Sequence, residues 1–284
     1  LAFYLGLKEI IMPELPEVET IRQQLVRKIK GKKVKKVEVK LARMINVPAT
    51  QFVKVISGAV VEDIRRRAKL LIIDWSNGWS VVIHLKMTGQ IIYDGKEGTG
   101  KPHIIYTFTD GHELKHYDFR LFGYVKLIKA DEVEKLFKKE NFGPEPLDKN
   151  FTLEMFKNLL SQKPRAKIKP LLMDQTFVAG VGNIYSQEAC FCAKILPTRI
   201  VSTLSEEEIK NFYHCLQKIL RDALERKGSS VDVYVDTGGE KGGYVPLLKV
   251  YGRDGEKCVR GDGGIIKQIK LAGRGTSFCP KCQK

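Results

Sequence analysis

Acidic side chains are what this sequence is short of: 33 Asp plus Glu stand against 49 Lys plus Arg in 284 residues, a formal net charge of +16. An excess of that size points to a polyanionic partner, nucleic acid or an anionic surface, with a basic solvated face as the plain alternative. Long apolar runs are missing too. None approaches the roughly 18 residues that span a bilayer, which argues against a membrane protein, and 43% hydrophobic residues argue against a disordered chain. Cysteine is sparse for a secreted disulfide framework. Of six, Cys190, Cys192 and Cys215 fall in helical patterns where buried thiols are ordinary, and the other three gather near the C-terminus. The expectation is an intracellular protein in a reducing compartment, the cytoplasm. The first twelve residues, LAFYLGLKEIIM, lack the basic n-region and small-residue cleavage site of a signal peptide. No internal repeat occurs.

What remains is a globular chain long enough for two domains. From Glu17, Val18, Ile21, Leu25 and Ile29 recur at helical spacing behind the acidic PELPEVE, predicting a first helix that ends near Gly31. Strand-like segments follow: VKKVEVKL from Val34, LLIIDW from Leu70, WSVVIHL from Trp79, GQIIYD from Gly89, HIIYTF from His103 and FGYVKLI from Phe122. Turn signals at Asn77-Gly78 and Asp110-Gly111 separate several of them. This reads as an antiparallel β-sandwich or barrel. NFGPEPLDKN, residues 141 to 150, has linker composition, and the pattern then turns helical from Leu153, Ile168, Asn183 and Leu204. The Gly-rich stretch from Gly228 to Pro246 reads equally as a mobile loop or a plain connector. The last 36 residues, with nine basic and three acidic side chains, suggest two pairs of short strands.

Six motifs occur in order: PELPEVET after Met12, RRRAKLL at Arg65, HLKMTGQ at His84, DFRLFG at Asp118, KPLLMDQTFVAGVGNIYSQE at Lys169 and AGRGTSFCPKCQ at Ala272. Together they resemble the formamidopyrimidine-DNA glycosylase family, bacterial enzymes that excise oxidised purines from DNA, and the resemblance runs from Pro13 to the C-terminus. It implies an α+β fold: an N-terminal antiparallel β-sandwich with a flanking helix (13–146), a helix-two-turns-helix domain with a lesion loop (147–248) and a zinc-finger-like β-hairpin (249–284). Residues 1–12 are expected to be a non-native or removed extension. The implied partner is double-stranded DNA containing oxidised bases, the implied state a monomer, and no redox cofactor is implied.

The resemblance gives Pro13 the role of nucleophile, its secondary amine attacking C1′ of the damaged nucleotide to form an iminium. That needs a free, unprotonated amine, and an α-amino group titrates near ~8. In this chain the Pro13 nitrogen is an amide behind Met12, so the role requires synthesis from Met12 or removal of the extension. Glu14 is then the acid for the opening sugar, Lys69 a proton donor in β-elimination, and Arg274 a phosphate clamp that assists δ-elimination. Lys169 resembles a second active-site lysine. Arg165 and His103 fall at family phosphate-contact positions, His84 beside the lesion-facing loop, and Asn183 in GVGN opens a helix whose N-terminus suits phosphate. Met87, Arg120 and Phe122 match the residues that fill the void left by an extruded base. Alone, several have plainer readings: PELPEVET as a helix N-terminus, Lys69 as part of a solvated basic cluster with Arg65, Arg66 and Arg67, Met87 and Phe122 as core. The nearest alternatives are an oxidised-pyrimidine glycosylase of the sister class and a non-catalytic damaged-DNA binder.

The metal site departs from the family. Its finger pairs two C-x2-C knuckles around zinc, whereas here Cys258 is followed by Val-Arg-Gly261-Asp262 and then Cys279-Pro-Lys-Cys282. The first knuckle has gained one residue and lost one thiolate. Asp262 is the candidate fourth ligand of one Zn²⁺; a three-thiolate site completed by water and a zinc-free hairpin held by packing are the alternatives.

Overall fold

The computed structural model describes residues 12–284, so the expected extension lies outside the described residues except for Met12. Helix α1 (Leu15–Ile29) buries Leu15, Val18, Ile21, Leu25 and Ile29 on one face, as their spacing requires. The chain continues through β1 (Val34–Val39), α2 (Ala49–Ile56), β2 (Val61–Arg67), β3 (Leu70–Trp75), β4 (Trp79–His84), β5 (Gly89–Tyr93), β6 (Ile104–Phe108), β7 (Glu113–Asp118), β8 (Tyr124–Lys129) and α3 (Val133–Glu140). The strands form two four-stranded antiparallel sheets, ordered β1-β6-β7-β5 and β2-β3-β4-β8. Their shared core includes Ile73, Trp75, Val81, Ile83, Ile91, Ile104, Tyr106 and Phe108. This is the sandwich with a flanking helix that the alternation predicts.

Strand β3 explains an unbroken apolar run. Leu71 and Ile73 face the sandwich, while Leu70 and Ile72 join Val82 beneath Phe137 and Phe142, so both faces of the strand are covered. Strands β2 (VEDIRRR) and β7 (ELKHYD) escape the sequence reading because they carry charged and polar residues. Burial of His116 and Asp118 in β7 inverts the usual pattern. The short helices α2 and α3, eight residues each, are too brief for their period to declare itself.

Helices α4 (Leu153–Ser161), α5 (Ile168–Met173), α6 (Asn183–Cys192) and α7 (Glu206–Glu225) enclose a second core around Phe156, Leu172, Tyr185, Phe212 and Leu216. Ser205 starts α7 with a reciprocal capping box to Glu208. The chain ends in the hairpin of β9 (Lys267–Leu271) and β10 (Arg274–Phe278). The second pair of strands expected there is a single bridge between Lys257 and Ile265, since the Gly-rich turn between them leaves no room for a ladder.

One cysteine expectation is corrected. Cys192, at the end of α6, and Cys215, midway along α7, form a disulfide with Cα atoms 5.7 Å apart, because the two helices pack side by side there. Cys190 stays a free buried thiol, its pKa pushed up to about 12 by burial. Among the described residues no helix is long and apolar enough to cross a membrane.

Candidate active site

Between the sandwich and the helices lies a cavity of about 650 Å³, lined by residues from both. Its floor is Glu14, just ahead of α1. The buried carboxylate accepts N–H bonds from Gly182 at 2.6 Å and Ile184 at 2.8 Å, where α6 begins. Gly182 is required by contact: a Cβ there would sit 2.5 Å from Glu14 Cδ and 2.7 Å from Lys69 Nζ. The same numbers show carboxylate and ammonium converging on one point. Burial pushes the Glu14 pKa up to about 7, against the opposing pull of Lys69 and of the two amides. Half-buried Lys69 is shifted down by loss of hydration, with Glu14 opposing. A carboxyl that titrates near neutrality beside an ammonium in a cleft is suited to move protons.

Lys69 rides on the tight turn between β2 and β3, whose Ala68 takes φ 52°. His84, Met87, Asn183 and Arg274 line the same cavity. His84 is kept neutral, its pKa lowered to about 3 by burial and by Lys86 and Lys69; its Nδ1 accepts from the Lys86 N–H at 3.1 Å. Arg274 is exposed at the start of β10. Pro13 is buried and backs onto a separate small gap with Met12, Glu17, Ile184 and Tyr234, while Met12 reaches into the main cavity. Lys169 lies beneath the surface with 0% exposure, donating to Asn183 Oδ1 at 2.7 Å and Thr276 Oγ1 at 2.9 Å. It ties α6 to the C-terminal hairpin.

A second constellation sits at the rim. Phe122 is 53% exposed and the Arg120 guanidinium stacks 4.8 Å from its ring centre. Buried Asp118 holds this edge together: it accepts from the Thr88 hydroxyl next to Met87 and from the Gly123 N–H at 2.7 Å, while Arg120 N–H donates to Thr88. His103 Nε2 lies 3.0 Å from the Asp118 carbonyl oxygen, and Arg165 is exposed just before α5.

The basic cluster from Arg65 to Arg67 is not the freely solvated one that its run of charge suggests. Arg65 pairs with Asp74, Arg66 with Glu19 and Glu145, and Arg67 with Glu145 and the carbonyls of Phe142 and Gly143. Glu145 also accepts the N–H of Ala68, at 2.7 Å. Arg66 and Arg67 thereby bind the linker to the sandwich, and Arg65 is held against β3.

Several buried polar residues went unseen in sequence because nothing in their spacing marks them. Glu17 accepts from Glu14 N–H, Ser229 N–H and the Tyr185 hydroxyl, joining α1 to α6 and the 228–246 stretch. That stretch is a docked connector: Thr237 donates to Gln24, Tyr93 N–H donates to the Thr237 carbonyl, and Tyr234 is buried. Glu188 accepts the N–H groups of Lys249, Val250 and Tyr251 at 2.9 to 3.0 Å, fastening the terminal module to α6.

In that module the ligand atoms of Cys258, Asp262, Cys279 and Cys282 lie within 4.8 Å of one another. The Cys258 and Cys282 sulfurs are 3.9 Å apart, and Asp262 Oδ2 is 3.4 Å from the Cys279 sulfur. A tetrahedron with Zn–S of about 2.3 Å and Zn–O of about 2.0 Å has edges of roughly 3.8 and 3.5 Å. The donor set therefore fits one Zn²⁺.

Comparison with known proteins finds three consecutive family matches: the formamidopyrimidine-DNA glycosylase N-terminal domain over residues 12–125, the H2TH domain of the same enzymes over 142–235, and the zinc finger found in FPG and IleRS over 255–284. The chain is 39% identical to a formamidopyrimidine-DNA glycosylase of Pelotomaculum thermopropionicum, with 96% of this chain and 99% of that protein covered. With one of Listeria monocytogenes serotype 4b it shares 42%, covering 96% and 100%. Among solved structures it is similar to Lactococcus lactis Fpg in complex with abasic-site DNA, at TM-score 0.87 and 37% identity over 95% of this chain and 99% of that one. It is also similar to MutM in complex with carbocyclic 8-oxo-G DNA, at TM-score 0.86 and 37% identity over 96% and 100%.

Proposed function

The chain belongs to the formamidopyrimidine-DNA glycosylase family, and on that premise we propose that it is a base-excision-repair glycosylase and AP lyase acting on oxidised purines in duplex DNA, as a monomer on nucleoid DNA in the cytoplasm. The observation that carries the reading is the Glu14 carboxyl, held by two helix-terminal amides beside Lys69 at the floor of a cavity and next to Pro13 in the chain.

Once freed, the Pro13 nitrogen attacks C1′ and the base departs with the glycosidic electron pair. The ring oxygen takes the proton of Glu14 as the C1′–O4′ bond opens, and the nitrogen, shedding its own proton, closes an iminium. A Glu14 pKa of about 7 keeps that proton available at neutral pH. Lys69 and Arg274 then assist strand cleavage by β- and δ-elimination. Met87, Arg120 and Phe122 occupy the space vacated by the flipped nucleotide, and Arg165, His103, His84, Lys169 and Asn183 bear on the DNA or on the groups that hold it. Zinc in the terminal module would act as a closed structural cross-link, without part in bond breaking.

Borohydride trapping on an 8-oxoguanine duplex tests this. A chain that begins at Pro13 should leave a covalent adduct, and one that retains Met12 should leave none. An adduct from the longer chain would move the nucleophile to another amine. No adduct from either would favour a binding protein without chemistry.

A further inference from the structure

The terminal module carries an arrangement of its own where the family's second thiolate is missing. Asp262 follows a turn one residue longer than a C-x2-C knuckle. Its two carboxylate oxygens are divided: Oδ1 accepts the Gly264 N–H at 2.7 Å, which turns Oδ2 inward to 3.4 Å from the Cys279 sulfur. The extra residue fits because the backbone passes close to the sulfurs. A Cβ at Gly264 would lie 2.6 Å from the Cys279 sulfur, closer than any side chain tolerates.

Arg260, inside the same turn, cannot ligate a cation because its guanidinium stays protonated. Nη1 donates to the Cys282 sulfur at 3.1 Å, and Nη2 donates to the carbonyls of Phe191 at 2.7 Å and Cys192 at 3.1 Å. The guanidinium also stacks 4.1 Å above the Phe191 ring. A single planar group thus joins one ligand sulfur to the last carbonyls of α6, the negative end of the helix dipole, where a cation is favoured.

We propose that this chain holds Zn²⁺ with three thiolates and the Asp262 carboxylate, and that Arg260 is a positioning residue that orients the Cys282 thiolate and locks the loaded centre to α6. The proposal rests on the zinc reading above and deepens it. A fixed donor to a metal-bound sulfur draws charge from it, and outer partners of this kind are worth about 10- to 100-fold in metal affinity.

The test uses the full chain, loaded with zinc for stoichiometry and with Co²⁺ for its absorption spectrum. One metal per chain is expected. Asp262→Cys should raise the thiolate-to-cobalt charge-transfer intensity by one thiolate's share, and Asp262→Ala should leave that intensity unchanged while weakening zinc about tenfold or more. Arg260→Ala should keep one metal and the same intensity but move the charge-transfer band to lower energy, since the sulfur has lost its donor. Asp262→Ala with undiminished affinity, or Asp262→Cys with no added intensity, would overturn the carboxylate ligand. An unmoved band in Arg260→Ala would overturn the role of Arg260. Borohydride trapping with the chain that begins at Pro13, prepared in the same way, separates the two proposals: metal-free protein that still traps DNA removes the zinc inference alone.

Discussion

The cleft around Glu14 and the knot around Cys279 are both small clusters of polar atoms, yet they are assembled in opposite ways. The cleft draws residue 14, the turn at 69, the strand end at 84, the helix start at 182–183 and the hairpin at 274 from across the whole chain. The knot takes all four donors from residues 258 to 282. In the cleft, burial and hydrogen bonding pull the Glu14 carboxyl in opposite directions and leave it titrating near neutrality. In the knot, a carboxylate and three sulfurs meet at distances that one cation satisfies. In the proposed reaction the first group must exchange a proton, and it is left balanced between its two states; the donors of the second are placed to share one cation and stay put.

The largest effect should come from replacing the balanced group. Glu14→Gln sets an amide NH₂ against one of two N–H donors, so excision by the chain beginning at Pro13 should fall about 10³-fold in single-turnover assays, with zinc content unchanged. Retained excision would take the acid role from Glu14. Next in size is the cross-link between α6 and α7. Cys215→Ser, or reduction of the bond, should cost about 3 kcal/mol in denaturant unfolding, the loop-closure value for a separation of 23 residues. A variant as stable as the parent in oxidising buffer would mean that the bond constrains nothing.

A subtler effect is pH dependence. In the proposed reaction Glu14 acts protonated and loses that form as pH rises through about 7, whereas the freed Pro13 amine gains its reactive form toward ~8. Single-turnover rates should be bell-shaped with a maximum between those values and fall about tenfold per pH unit well beyond each limb. A rate still rising at pH 9 would contradict the assignment. Stability follows the same carboxyl: its folded pKa is raised, so the protonated form favours the folded state at low pH, and that contribution is lost as pH climbs from the ordinary Glu range through about 7. The smallest effect separates free from compensated cations. Arg165→Ala should reduce the slope of log binding constant against log salt by about 0.9, the value of one phosphate contact on duplex DNA. Arg65→Ala should leave it unchanged, because Asp74 already holds that guanidinium.

These contrasts also explain what could be read in the sequence. Helix α1, the apolar strands and α7 declare themselves by period, and the terminal cysteines by spacing. The residues that organise the cleft do not. Glu17, Glu145 and Glu188 are acids in a basic chain, committed to backbone N–H groups or guanidinium ions from distant segments, and Asp118 accepts from the distant Thr88 hydroxyl beside the nearby Gly123 N–H. Their function lives in tertiary contact, which no local pattern encodes. Arg65 to Arg67 show the reverse: a run of charge suggests a surface, and acids from other segments compensate it.

Helix α6 reaches both centres. Its first turn gives N–H groups to Glu14, Asn183 and Gln187 receive the hairpin, Glu188 holds residues 249–251, and its last carbonyls accept from Arg260. Ten residues rising 1.5 Å each make a ruler of about 15 Å, graduated in steps of 100°. One residue inserted anywhere along it would rotate one end against the other by about that angle. Neither the acid nor the finger could then be reached at the same time, so the length of this helix fixes the phase between chemistry and grip.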